Sequence, residues 1–329
     1  MRKTLVAAAA TMICLFQPGL AAQPQDPAPG QAAEQETLGY NPDAVQRMTV
    51  PVSVNGQGPF RFVVDTGAER TVLSRELATS LGLAGSRDVT LTSMTDVRLV
   101  PTVLVSRIGV GRRSIHQVQA PILAQRNLGA QGLLGADSLQ NLRIDLDFEK
   151  GEMYISHLRI PQGTRFDGSM IVRGGDGTIV VTGRTLLGRM ILTDAMVDGE
   201  RVLVVVDTGS AVTIGNEALR ARLARREAHR SLQPIEVTSV TGATMMMDYT
   251  RTGRVRVGGA ELVNLPIAFA DVRLFRELHL QDRPALLLGM DALQQFRRVS
   301  IDFATRRLRL VPGPSSFNAM PIRMARAAP

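Results

Sequence analysis

One short stretch occurs twice. Phe62-Val63-Val64-Asp65-Thr66-Gly67-Ala68 returns 142 positions later as Val204-Val205-Val206-Asp207-Thr208-Gly209-Ser210. Each copy is a run of β-formers that stops at an acid, a hydroxyl residue and a glycine. The apolar run reads as a buried strand. The Asp therefore sits where an inner strand ends, and an isolated carboxylate is costly there. The position makes sense if the acid is hydrogen-bonded, paired, or shares a proton with a second carboxylate. The repeat supplies that second carboxylate.

The surrounding sequence keeps step with the motif. Asn55-Gly56 and Asp198-Gly199 each signal a tight hairpin turn just before it. Ser74 and Asn216 each stand at the start of a short helix, and both are good N-caps. Leu91-Thr92-Ser93-Met94-Thr95 is echoed by Val237-Thr238-Ser239-Val240-Thr241, each read as one side of a hairpin. Gly132-Leu133-Leu134-Gly135-Ala136-Asp137 is echoed by Leu286-Leu287-Leu288-Gly289-Met290-Asp291. The Asp of each echo, with Gln140 or Gln294 three residues on, predicts a variant helix capping box. The period is too long for a solenoid. It indicates two similar β-rich domains in tandem, an all-β chain. The expected organisation is a signal peptide at 1–22, a disordered spacer at 23–44 and a first lobe at 45–160. A linker at 161–186, a second lobe at 187–312 and a basic tail at 313–329 complete it.

The leader carries its own signal. Arg2 and Lys3 precede a short apolar run from Leu5 to Phe16, followed by the small residues Ala21 and Ala22. That run is too short to span a bilayer; it reads as a secretory signal peptide, so the mature protein is expected in a periplasm or outside the cell. The one cysteine, Cys14, lies within the leader, leaving no disulfide or thiol chemistry after cleavage. No later stretch is long and apolar enough for a transmembrane helix. The formal net charge of +8 suits an anionic surface. The Arg-rich stretch holding Arg220, Arg222, Arg225, Arg226 and Arg230 reads first as a solvated helix face. Nucleic acid is not an expected partner, because no basic run is interleaved with aromatics.

The repeated motif and its partner segments resemble the retropepsin-like aspartic peptidases, in a tandem two-lobed form. The residues that carry the resemblance are Asp65-Thr66-Gly67-Ala68, Asp207-Thr208-Gly209-Ser210, Leu133-Leu134-Gly135 and Leu287-Leu288-Gly289. The resemblance implies two closed β-lobes forming a pepsin-like pseudo-dimer, with the motif loops face to face and hairpin flaps above. It implies an exported aspartic endopeptidase acting on a protein or peptide substrate, with Asp65 and Asp207 catalytic. Thr66, Gly67, Ala68, Thr208, Gly209 and Ser210 would support them. Met94, Thr95, Val240, Thr241 and Gly242 would lie on the flaps.

The chemistry fits those residue types. Hydrolysis by activated water needs one carboxylate to take a proton and another to give one. Two close carboxylates cannot both ionise, so they share a proton, as the dyads of aspartic peptidases do. Each Gly allows close approach and tolerates positive φ, and each Thr hydroxyl can bond main chain across the lobe interface. Ser210, unlike Ala68, can donate to its Asp, so Asp207 is expected to carry more of the negative charge.

The departures are readable too. Ala136 and Met290 follow the apolar-apolar-Gly segments, where retroviral enzymes carry a bracing Arg, and the expected flap tips are poor in glycine. Met245-Met246-Met247 reads as core filling before an adaptable site. His116, His157, His229 and His279 are scattered, so no metal or other cofactor is expected. Gly174-Gly175-Asp176-Gly177 reads as a turn, and no G-x-S-x-G elbow marks a serine triad. The expected assembly is a monomer with the lobes paired within one chain. A non-catalytic peptide- or surface-binding module of the same fold is the alternative, as is pairing between chains.

Overall fold

Each lobe begins with a hairpin whose turn chemistry is written in the sequence. Asn55 and Gly56 take φ of 50° and 82°, and Asp198 and Gly199 take 46° and 85°. Two consecutive positive φ values match the twist of the flanking strands. The first hairpin joins Met48–Val54 to Gln57–Val64. The second joins Arg189–Val197 to Glu200–Val206. The structure is a computed structural model describing residues 35–39, 41–42, 47–140, 142–157, 171–173, 177–226 and 231–313. The expected signal peptide, most of the spacer and nearly all of the basic tail lie outside the described residues.

The strand entering each motif is flanked in parallel by the apolar-apolar-Gly strand. Phe62, Val63 and Val64 pair with Gly132, Leu133 and Leu134. Leu203 to Val206 pair with Ala285 to Leu288. The chain leaving each motif then runs antiparallel along the other edge of the same strand, as Val72–Ser74 and Ile214–Gly215. The apolar-apolar-Gly strand is thus held between the two arms of the motif loop. Val63, Val64 and Val204 through Val206 are all buried. Each such side chain contributes about 1.5–3 kcal/mol relative to exposure.

Glycine ends both central strands because backbone approaches there. A Cβ at Gly135 would lie 2.4 Å from the carbonyl carbon of Arg70, and one at Gly289 would lie 2.5 Å from the carbonyl oxygen of Val212. The short helices after them, Ala136–Leu139 and Met290–Leu293, have Gly135 and Gly289 as N-caps, with no side-chain cap. The predicted capping boxes are therefore absent. Asp137 and Asp291 lie inside the first helical turn and turn back toward the motif loop. The other two predicted caps are present: Ser74 Oγ accepts from the N–H of Leu77 at 3.1 Å, and Asn216 Oδ1 accepts from Leu219 at 2.9 Å.

A sheet shared by the two lobes joins them. Its order is Gln35–Gly39, Glu152–His157, Leu142–Asp147, Phe296–Asp302, Arg307–Pro312, Ile179–Thr182, Ile171–Arg173. At its centre Ile144 pairs with Ile301 and Leu146 with Val299. Ion pairing adds to this seam. The Asp147 carboxylate is buried, and the Arg298 guanidinium reaches it at 2.6 Å. Burial pulls that carboxyl upward, but Arg298 and the Lys150 N–H outweigh it, so its pKa is lowered. Two expectations change here. Part of the spacer (35–39) and part of the linker (171–173, 179–182, 184–186) are strand: the shared sheet recruits 35–39, 171–173 and 179–182, and the Arg189–Val197 strand of the second lobe recruits 184–186. The bracing Arg missing after the apolar-apolar-Gly segments is replaced by this sheet.

Candidate active site

The two motif loops meet between the lobes through a reciprocal set of hydrogen bonds. The N–H of Thr66 donates to Oγ1 of Thr208, and the N–H of Thr208 donates to Oγ1 of Thr66, both at 3.1 Å. Each hydroxyl then donates onward across the interface, Thr66 to the Val206 carbonyl at 2.9 Å and Thr208 to the Val64 carbonyl at 2.7 Å. Both threonines are buried. Every donor and acceptor they carry toward the interface is satisfied, which keeps burial from costing stability.

This grip holds the acids together. Oδ1 of Asp65 accepts from the N–H groups of Gly67 (2.8 Å) and Ala68 (2.9 Å). Oδ1 of Asp207 accepts from Gly209 (2.8 Å) and Ser210 (3.2 Å). The two carboxyl groups are close enough to influence each other's protonation. A Cβ at Gly67 would lie 2.4 Å from Cγ of Asp207, and a Cβ at Gly209 would lie 2.1 Å from Cγ of Asp65. Each lobe's glycine is thus the floor for the other lobe's carboxyl group. Neither glycine has positive φ, so close approach alone demands them.

The pair is electrostatically unequal. Burial raises both carboxyl groups. Asp207 is only 8 % exposed, and the neighbouring Asp65 charge pushes it further, up to about 8. Asp65 is less buried, and the N–H groups of Ala68 and Gly67 and the Arg47 cation oppose the rise there. The expected role of Ser210 is overturned. Its hydroxyl donates to the Val212 carbonyl at 2.7 Å and is not available to Asp207. Burial raises both acids, so the pair holds a shared proton, and the Asp65 charge raises Asp207 further.

Behind each loop stands a Thr–Asp pair. Thr71 Oγ1 donates to Asp137 at 2.7 Å and accepts from the Gly135 N–H at 3.1 Å. Thr213 Oγ1 donates to Asp291 at 2.6 Å and accepts from the Gly289 N–H at 3.2 Å. Burial pushes the Asp291 carboxyl up to about 6, against the Thr213 hydroxyl and N–H. Sequence reasoning passed over Thr71 and Thr213, and also Arg47 and Arg189, which line the same cleft. Both pairs obey the spacing that separates the two motif acids, which was the signal that could have found them.

The hairpin tips cross above the acids. Thr95 Oγ1 donates to Ser239 Oγ at 3.0 Å, and Thr241 Oγ1 donates to Asp96 Oδ1 at 2.8 Å. Asp96 is also bonded to Ser93 and paired with Arg98. Met94, from the first lobe, packs against the Val272 and Phe275 cluster of the second. Val240, from the second lobe, packs against the Val72 and Leu128 cluster of the first. Gly242 (φ 84°) lies close enough to Asn127 that a Cβ would stand 2.6 Å from its Nδ2. Each tip is thus seated on the opposite lobe.

Below the tips a cleft of about 1360 Å³ contains Asp65 and Asp207. Its walls include Val72, Leu91 and Leu133 from one lobe and Ile235, Val272 and Leu287 from the other. His116 and His279 do not line it, and the side chains of His157 and His229 lie outside the described residues. Met247 is core and Met245 packs against the second lobe's cluster, while Met246 is exposed. In the helix Glu217–Arg226, Arg222 and Arg225 face solvent, and Arg220 pairs with Asp248 at 2.5 Å.

Two crossed β-lobes with a carboxyl pair between them define an aspartyl protease. Comparison with known families agrees for each half. Residues 50–141 match a family described as "gag-polyprotein putative aspartyl protease", and residues 193–292 match one described as "Aspartyl protease". The chain is a retropepsin-like aspartic peptidase with two lobes in tandem, an aspartic-type endopeptidase. No curated protein matches it.

Proposed function

We propose that Asp65 and Asp207 form one catalytic dyad within a single chain, hydrolysing peptide bonds of an exported enzyme's protein or peptide substrate. The observation that carries this is the mutual seating of each carboxyl group on the other lobe's glycine. Such packing leaves the two acids one shared proton. Asp65, ionised, takes a proton from a water held between them, and the oxygen attacks the scissile carbonyl. Asp207 gives its proton to the carbonyl oxygen, forming a neutral tetrahedral diol. When that diol collapses, the C–N bond breaks, Asp65 gives its proton to the leaving nitrogen, and a diol hydroxyl returns a proton to Asp207 as it becomes the new carbonyl. Thr66 and Thr208 keep the loops in register, and Gly67, Gly209, Ala68 and Ser210 hold the carboxyl groups through their N–H groups. Met94, Thr95, Val240, Thr241 and Gly242 act as paired flaps that part for substrate and close over it.

The leader supports export. A mature chain beginning at Gln23, found by N-terminal mass spectrometry of an extracytoplasmic fraction, is the expected result. Among the described residues no helix is long and apolar enough to cross a membrane. The dyad is tested by the separate variants Asp65→Asn and Asp207→Asn on a peptide library. Each is expected to lose cleavage, and mixing the two should restore nothing. Cleavage retained by either single variant would mean that like lobes of two chains pair instead.

A further inference from the structure

Arg189 is the least satisfied buried cation in the cleft. It opens the strand Arg189–Val197, is 6 % exposed and lines the cavity that contains both acids. Its Nε donates to the Gly67 carbonyl at 2.6 Å, so its guanidinium abuts the floor of the dyad. Its Nη2 lies 3.9 Å from Glu277 Oε2, beyond hydrogen-bond reach. Its Nη1 is buried with no partner. The counterpart in the first lobe, Arg47, is equally buried, but its Nη2 donates to the Leu128 carbonyl at 2.5 Å, and it has no such orphan. The two lobes thus present the same residue in two states, one closed on its own lobe and one left open.

A buried guanidinium N–H without an acceptor is costly. Protein structures keep such a group where something else completes it. The strongest complement for a guanidinium is a carboxylate, which can accept from two nitrogens at once. Glu277 is too far to fill that role and is itself partly exposed, so it can yield to a competitor. The cleft wall also carries Glu69, Glu236 and Asp291, but none of them is bonded to Arg189.

We propose that Arg189 is a specificity residue that receives a carboxylate of the substrate, donated by an acidic side chain or by a peptide C-terminus. The inference rests on the cleft being the peptide-binding site, as set out above. A peptide with this group in place gives Nη1 an acceptor; one without it leaves that nitrogen unpaired, and such sites discriminate strongly.

The experiment uses the mature chain and a fixed apolar peptide with an amidated end, along which a single Glu or Gln is moved. A second arm compares free-acid and amide ends of the same peptide lacking Glu. Wild type should prefer Glu over Gln, or acid over amide, at one position by roughly tenfold or more in kcat/KM, as a charge-assisted hydrogen bond implies. The arm that shows the preference identifies the source of the carboxylate. Arg189→Met should erase the ratio and Arg189→Lys should keep part of it, while Arg47→Met should leave it intact. Because the ratio is internal to one preparation, a partly folded variant still reports it. Binding of the same peptides to Asp65→Asn, measured by calorimetry, reads the preference without cleavage. Binding preference without cleavage by wild type would keep the carboxylate site and remove the peptidase mechanism. Cleavage with no preference at any position, or a preference that survives Arg189→Met, would overturn the carboxylate site and leave the peptidase standing. Neither binding nor cleavage would overturn both.

Discussion

The two motif loops share one backbone and differ in what surrounds it. Both Asp residues accept two N–H groups, both threonines cross the interface, and both loops are backed by a Thr–Asp pair. Yet Asp207 is deeper than Asp65, and only Asp65 has a nearby Arg cation among the main influences on its carboxyl. Arg47 closes on its own lobe, whereas Arg189 keeps an open donor. Symmetric hydrogen bonding places the acids, and asymmetric burial makes their surroundings unequal. Duplication supplied the first property; divergence of the flanking side chains supplied the second.

The largest test of that equivalence is loss of either acid. Asp65→Asn and Asp207→Asn should each lower kcat by roughly 10²-fold to 10⁴-fold or more, whatever their difference in protonation. An active single variant would break the comparison outright.

Stability against pH separates the loops next. Asp207 has a folded pKa of about 8, above its unfolded value near 4. The folded state therefore holds a proton that the unfolded chain releases between those values. The Asp207 contribution to stability should be fully present below about pH 4 and be lost as pH rises toward 8, by on the order of a few kcal/mol. Asp291, pushed to about 6, adds in the same direction over the lower part of that window. Urea unfolding of Asp207→Asn should show a higher midpoint than wild type at pH 7 and a shrinking gap toward pH 4. An unchanged gap would place the proton elsewhere.

The glycines test close approach. Gly67→Ala and Gly209→Ala should each cost roughly 1–3 kcal/mol through overpacking, with Gly209→Ala the worse because its Cβ would stand 2.1 Å from the opposing carboxyl carbon against 2.4 Å. Equal and negligible effects on thermal unfolding would mean the loops can part without penalty.

The crossed tips give a smaller effect. Thr241→Val removes the bond to Asp96, worth about 1 kcal/mol. Hydrogen exchange at the Val240–Ala243 tip should quicken while that of Leu286–Leu288 stays unchanged. Smallest of all is Ser210→Ala. Its hydroxyl serves the Val212 carbonyl, so activity should stay within about twofold and stability drop by about 0.5–1.5 kcal/mol. A tenfold loss of activity would return Ser210 to the role its sequence position suggested.

Much of the site was legible because it was written twice. The strands, the hairpin turns, the Thr contacts across the interface and the helix caps at Ser74 and Asn216 all follow from local chemistry and a fixed spacing. The misreadings have two causes. Asp137 and Asp291 each have a plausible local partner in sequence and take one supplied by the fold, whereas Ser210 takes a different local partner two residues on. The capping Asp lost to a Thr brought alongside by the motif loop, and Ser210 turned to a backbone carbonyl. The strands at 35–39 and 179–182 look like loose chain because what orders them is a shared sheet edge far away in sequence.

Strand periodicity, turn residues and repetition are local properties, and they are enough to establish two equivalent halves that each end an inner strand in Asp-Thr-Gly. Packing between the lobes is what puts each glycine under the opposite carboxyl, carries the tips across to the other lobe and leaves Arg189 Nη1 without an acceptor. Those depend on which surfaces come together and how deeply, which no local property of the chain records.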